Sequence, residues 1–149
     1  MTRHICLKEV ERATENNHSF NILSLNSQSI HAKIGDLRAL LHDIHERNLE
    51  ISAICIQESW LSKDADLSLL HIDDYTCISQ GKTASAHGGL IIYLNTKYKY
   101  CTRKMTSDSN IWEGQLIEIT GNSLKKKITL GNIYKPPKII TTIITYKHS

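Results

Sequence analysis

Apolar and polar positions divide this chain into segments of different period. From Phe20 to Asn26 apolar residues at 20, 23 and 25 alternate with polar ones at 21, 24 and 26, Ile22 being the exception, which predicts a strand ending at Asn26. Ser27-Gln28-Ser29 reads as a turn. The period then changes: Ile30, Ile34, Leu37, Leu41 and Ile44 fall at offsets of four, three, four and three, one stripe of a helix expected to start at an N-cap Ser29 and to run to about Asn48. Ile51–Ile56 has no charged residue and three β-branched isoleucines, so it suits a strand covered on both faces, and it stops abruptly at Gln57-Glu58. Strand, helix and strand joined by the usual right-handed crossover make neighbouring parallel strands. Asn26 and Glu58 then end side by side, where open α/β sheets bind their ligands.

The remainder reads as strands and loops. Ser59 to Leu70 is loop-like and acidic; Tyr75–Ser79 is a short strand; Gly81 to Ala86 is a small-residue loop. Gly88-Gly89 precedes Leu90–Leu94, a second continuous apolar run expected to be a central strand, with the glycines permitting a bulge or tight turn. Trp112 to Thr120 and Lys127 to Lys135 form a hairpin pair around Gly121-Asn122-Ser123, with Leu116, Ile117 and Ile119 facing Ile128, Leu130 and Ile133. Pro136-Pro137 ends the second of these strands beside Tyr134. The tail, Lys138 to Ser149, holds the β-branched run Ile139–Thr145, an aggregation-prone strand if left unpaired. The organisation expected is a polar leader over 1–19, a domain over 20–137 and an atypical tail over 138–149.

Composition narrows the class. A length of 149 residues with 40% hydrophobic and 22% charged content gives one globular domain with a substantial core. The net charge of +3 does not mark the whole chain as a nucleic-acid binder, so such a role must come from a local patch. Lys97, Lys99, Arg103 and Lys104, interleaved with Tyr98 and Tyr100, supply one: cations pair with phosphate and aromatic faces stack on bases. A lysine-protected edge strand explains the same residues equally well. Cys6, Cys55, Cys77 and Cys101 form no Cys-x-x-Cys, which removes zinc knuckles and redox pairs, and Cys55 is expected in the core. His42 and His45, three apart on the helix, fall off its apolar stripe and read as a solvated face. No apolar run has signal-peptide or transmembrane length, so an intracellular soluble protein of nucleus or cytoplasm is expected, without membrane contact or small-molecule cofactor. The oligomeric state is open.

Three strand ends, Asn26, Gln57-Glu58 and Tyr134, bear the candidate chemistry. Leu23-Ser24-Leu25-Asn26, Ile54-Cys55-Ile56-Gln57-Glu58-Ser59-Trp60-Leu61, Gly88-Gly89-Leu90-Ile91-Ile92-Tyr93, Trp112-Glu113 with Leu116–Ile119, and Gly131-Asn132-Ile133-Tyr134-Lys135-Pro136-Pro137 come in one order along the chain. In these pieces the sequence resembles the endonuclease/exonuclease/phosphatase superfamily, specifically the apurinic-type endonuclease domain of non-LTR (LINE-like) retrotransposons. The resemblance implies a two-sheet α/β sandwich of the four-layer type that cleaves DNA phosphodiesters with Mg²⁺ or Mn²⁺. It makes Glu58 the metal-binding glutamate, Asn26 the asparagine supporting the metal and phosphate site, and Tyr134 the tyrosine contacting the phosphate. Trp60 and Trp112 are expected to be packing residues.

The resemblance covers the first half to two-thirds of such a domain. The family's Asp-x-Asn segment and its Ser-Asp-His do not follow Tyr134 here; Asp108-Ser109-Asn110 precedes it, and His148 stands in Lys147-His148-Ser149. Each general acid or base typically contributes about 10²–10⁴-fold, so these residues alone are expected to be inactive. A non-catalytic transposon-derived remnant or a nucleic-acid- or protein-binding module is the alternative. A sandwich lacking its later strands is also expected to leave a sheet edge and an apolar face uncovered.

Overall fold

A computed structural model describes residues 19–82, 88–105, 111–135 and 139–146, the last segment as backbone apart from Thr145. Among them no helix is long and apolar enough to cross a membrane. The first predicted unit forms as strand, helix, strand: β1 (Ile22–Asn26), α1 (Ile30–Glu46) and β2 (Ala53–Gln57). The strands β1 and β2 run parallel, pairing Ile22 with Ala53 and Asn26 with Gln57, so Asn26 and Glu58 do lie at the same end of one sheet. A short 3-10 turn (Leu67–Leu70) leads to β3 (Tyr75–Gln80), β4 (Leu90–Asn95), β5 (Lys99–Arg103), β6 (Glu113–Thr120), β7 (Ile128–Lys135) and β8 (Ile139–Tyr146). The first sheet has the order β1-β2-β4-β3 and the second β5-β6-β7-β8. The chain is therefore an α/β two-sheet sandwich, with α1 as the long helix among the described residues.

The uninterrupted apolar runs of β2 and β4 follow from their place in this sandwich. Ile54, Ile56, Ile91 and Tyr93 pack into a cluster with Ile30, Leu37, Leu41 and Ile44 of α1. Ala53, Cys55, Ile92 and Leu94 point the other way, against Ile117, Ile119, Ile128 and Leu130 of the second sheet. Successive side chains of a strand alternate faces, and here both faces are dry, so every position must be apolar or hydrogen-bonded. Tyr75 and Tyr93 meet that condition by donating to the carbonyls of Ile51 (2.7 Å) and Leu70 (2.8 Å), and burial pushes both phenols up from their ordinary pKa.

Several polar side chains cross between the sheets, Asn132 and Gln115 among them. Asn132, fully buried on β7, donates to the carbonyls of Ile56 (3.0 Å) and Ile91 (3.1 Å) and accepts from Gln57 Nε2 (2.7 Å). Gln115 on β6 donates to the Ile78 carbonyl at 2.8 Å. These bonds fix the stacking register of the two sheets, which apolar contacts alone specify loosely.

The structure departs from the pattern-based reading at several points. Ser29 stands at the N-cap position with φ 89, but its side chain caps nothing; instead the Ser29 and Ile30 amides donate to the carbonyls of Glu58 (3.0 Å) and Ser59 (3.1 Å). The loop after β2 thus takes up the N-cap and first helical amides, while the expected hydroxyl cap of the next turn is not made. The helix closes at Glu46, with the Arg47 and Asn48 amides bonding back to Ile44 and His45. The supposed loop before β3 contains the 3-10 turn, whose carbonyl at Leu69 and whose following His71 carbonyl accept from Arg38, while Leu70 is fully buried. The β-branched tail becomes β8, antiparallel to β7 from Lys135↔Ile139 to Ile128↔Tyr146, so β7 is not left as an edge.

β5 is an edge of the second sheet, exposed at all five residues. On the outer face of that sheet Arg103 (2.8 Å) and Lys127 (3.2 Å) both grip Glu118, whose side chain is 10% exposed, and together they hold its carboxyl down to about 2. The folded value lies below the ordinary range of about 4.3, so the stabilisation is present above that range and disappears as pH falls toward about 2. Thermal midpoints measured from pH 5 down to pH 2 should fall for the wild-type chain, and the fall should be shallower in Glu118→Gln; identical slopes would contradict this.

Candidate metal and phosphate site

The carboxyl ends of β1 and β2 and the end of β7 converge. Tyr134, 4% exposed, donates its phenol hydrogen to Glu58 Oε1 at 2.7 Å, joining residues 76 apart in the chain and, through them, the two sheets. Burial, then the hydrogen bond to Glu58, then the charges of Glu58 and Glu113, all push the Tyr134 phenol above its ordinary pKa. It is therefore a hydrogen-bond donor at neutral pH and not a base. Glu58 itself is half-buried, so its carboxylate is held in place and still meets solvent. Asn26, in register with Gln57, is also half-buried and accepts from the Gln28 amide at 3.1 Å.

The loop that carries Glu58 is strained and heavily tied. Glu58 has φ 50 and Trp60 φ 60, left-handed values that L side chains adopt at a cost of about 1–3 kcal/mol each and that persist only where the surroundings fix them. The Glu58 carbonyl accepts from the Ser29 amide (3.0 Å) and Ser27 Oγ (2.9 Å). On the other side, the Ser59 and Trp60 amides donate to the carbonyls of Gly89 (3.1 Å) and Gly88 (3.0 Å). Gly88-Gly89, the segment leading into β4, thus lies directly against this loop, with Gly89 at φ 99. Glu113, 5% exposed at the start of β6, accepts from the Gly89 amide at 2.8 Å.

Of the remaining sequence candidates, Lys97 pairs with Glu50 and lies over the Tyr98 ring, 5.1 Å from its centroid; Arg103 pairs with Glu118; Lys99 and Lys104 are exposed. None of the four touches the Glu58–Tyr134 pair among the contacts described. His42 and His45 are exposed, as expected of a solvated face, with the His45 ring stacked on Tyr75 at 6.3 Å. Cys55 is buried in the core. Trp60, beside the site with a left-handed backbone, is 39% exposed. Trp112 is half-buried against Gly114. Asp108, Asn110 and His148 lie outside the described residues.

Among the described residues no group of three or more His, Cys, Asp or Glu side chains is placed to hold a metal ion. The site offers one carboxylate. That fits a hard cation such as Mg²⁺, which keeps several waters and binds through one or two carboxylates plus substrate phosphate, and it does not fit a closed zinc site. Glu113 enters the sequence motifs only within the Trp112-Glu113 piece, without a role at the site; in the structure it stands opposite Tyr134 in the β6–β7 ladder.

No family model matches the chain, and no curated protein matches it. Among solved structures the chain is similar to the AP endonuclease LMAP from Leishmania major, with 13% identity and a TM-score of 0.47. The similarity covers 97% of this chain and 43% of that one, so the chain spans less than half the length of the protein it resembles.

Proposed function

We propose that this chain is the N-terminal part of a divalent-metal-dependent phosphodiesterase, a DNA endonuclease domain of retrotransposon origin, and that it carries half of the site. The observation behind this reading is the Tyr134–Glu58 hydrogen bond of 2.7 Å, which joins two strand ends that the sequence motifs single out separately. Glu58 is the residue to hold Mg²⁺ or Mn²⁺; the bound cation supplies charge stabilisation at a phosphoryl oxygen. Tyr134, kept protonated, fixes the orientation of the Glu58 carboxylate and offers a donor beside the phosphate position. The Asn26 amide at the neighbouring strand end suits a second phosphate oxygen.

No residue at the described site is placed to serve as general base, and the 149 residues contain no Ser-Asp-His. Hydrolysis by these residues alone should be lower by about 10²–10⁴-fold for each missing acid or base. Supercoiled plasmid incubated with the purified chain and Mg²⁺ should show no nicking above background. Robust nicking that Glu58→Gln abolishes would overturn the proposed inactivity. The alternative of a binding remnant acting through Lys97, Lys99, Arg103 and Lys104 draws support from the exposure of β5, but Lys97 and Arg103 are already paired with carboxylates.

A further inference from the structure

Glu113 and Tyr134 are directly opposite each other in the β6–β7 ladder, and each reaches across to the first sheet. Tyr134 holds the side chain of Glu58, and Glu113 holds the backbone of Gly89, whose carbonyl in turn receives the Ser59 amide. Gly88 fits only because it lacks a side chain: a Cβ there would fall on the Glu113 carboxylate, with the carboxyl carbon at 2.8 Å. The carboxylate is thus packed directly against the Gly88 backbone. We infer that Glu113 is a positioning residue, and that the Glu113–Tyr134 pair is a two-pronged clamp that sets where Glu58 stands.

The left-handed residues Glu58 and Trp60 need fixing from outside, because neither conformation is favoured locally. One side is fixed by Ser27, Ser29 and Ile30, which belong to the same sheet-and-helix layer as Glu58. The other side rests on Gly88-Gly89, and that segment is tied to the second sheet through Glu113. A charged acceptor on a backbone amide is among the stronger hydrogen bonds available. Burial of the Glu113 carboxylate, costly in itself, is what keeps that bond out of competition with water. The second sheet then bears on the loop's position through one ladder pair, of which Tyr134 touches the loop's acid and Glu113 touches the Gly89 backbone against which the loop lies.

This role rests on the proposed function only in its consequence, the placement of a metal ligand; the clamp itself is a statement about the loop. The test is amide hydrogen exchange by NMR on the full chain, comparing wild type, Glu113→Ala and Glu113→Gln, with Mn²⁺ uptake measured in parallel. Glu113→Ala should speed exchange at Ser59 and Trp60 by about tenfold or more, while Ile54 in β2 and Ile92 in β4 stay slow. Glu113→Gln keeps an oxygen acceptor and should restore most of the protection. Unchanged exchange at Ser59 and Trp60 in Glu113→Ala overturns the clamp, as does faster exchange spread evenly through β2 and β4, the mark of a general folding role. Should Glu113→Ala fail to fold, Glu113→Gln together with Gly88→Ala, which pushes the carboxylate aside, gives the same comparison. Absence of Mn²⁺ uptake by the wild-type chain would count against the metal site and leave the clamp to be judged on exchange alone.

Discussion

Asn132→Leu is expected to destabilise the fold by about 3 kcal/mol, lowering the thermal midpoint by roughly 10 °C for a chain of this size. The side chain is fully buried between the sheets, where its amide donates to Ile56 and Ile91 and its oxygen accepts from Gln57. Leucine keeps the branched shape and is somewhat larger, so no cavity forms, and the main loss is that of hydrogen bonds with no water to replace them. Gln57 Nε2 is left with Ser24 Oγ and a long contact to the Cys55 carbonyl, and Gln57 Oε1 already lacks a partner among the described residues. Thr129→Val supplies the control. Its hydroxyl is buried without a partner among the described residues, so removing it should be neutral or slightly stabilising. A midpoint for Asn132→Leu within a few degrees of wild type would show that the polar crossing does not hold the sheets.

Gly89→Ala is expected to cost about 3 kcal/mol by a different route. At φ 99 the residue sits where L side chains are rarely found, and a Cβ would fall onto Ser59 Oγ, which is completely buried. Ser59 Oγ also accepts from the Leu61 amide at 3.3 Å, so displacing it costs that bond as well. The contrast is Gly35 on α1, exposed and with nothing within 4 Å of the place a Cβ would take, where alanine should stabilise by about 0.5–1 kcal/mol through helix propensity. Chemical denaturation of both variants checks the pair: equal and small effects would mean that Gly88-Gly89 is not packed on the Glu58 loop.

What could be read in the sequence follows from which interactions leave a periodic trace. Burial does: the stripe Ile30 to Ile44 and the dry runs Ile51–Ile56 and Leu90–Leu94 become α1, β2 and β4, since their partners are layers rather than particular atoms. Asn132 was also within reach, as the one polar member of the inward set Ile128, Leu130, Asn132, Tyr134. Backbone-to-backbone ties leave no such trace. That the Ser29 amide is held by the Glu58 carbonyl while its hydroxyl caps nothing, and that Glu58 and Trp60 are left-handed, depends on groups brought close by the tertiary fold. The three strand ends could be named, and β1 and β2 could be aligned from the crossover rule. That Tyr134 bonds to Glu58 depends on how the second sheet stacks, which Gln57, Asn132 and Gln115 determine and no local pattern encodes.

The most direct measurement is a Mn²⁺ titration followed by electron paramagnetic resonance on the wild-type chain and on Glu58→Gln, with thermal midpoints recorded for both. The wild-type chain should take up one Mn²⁺, and Glu58→Gln should weaken that uptake by about tenfold or more while remaining folded, because a neutral amide is a poor ligand for a hard cation. Equal uptake by the two proteins, or none by the wild type, would contradict the assignment of Glu58 as the metal ligand.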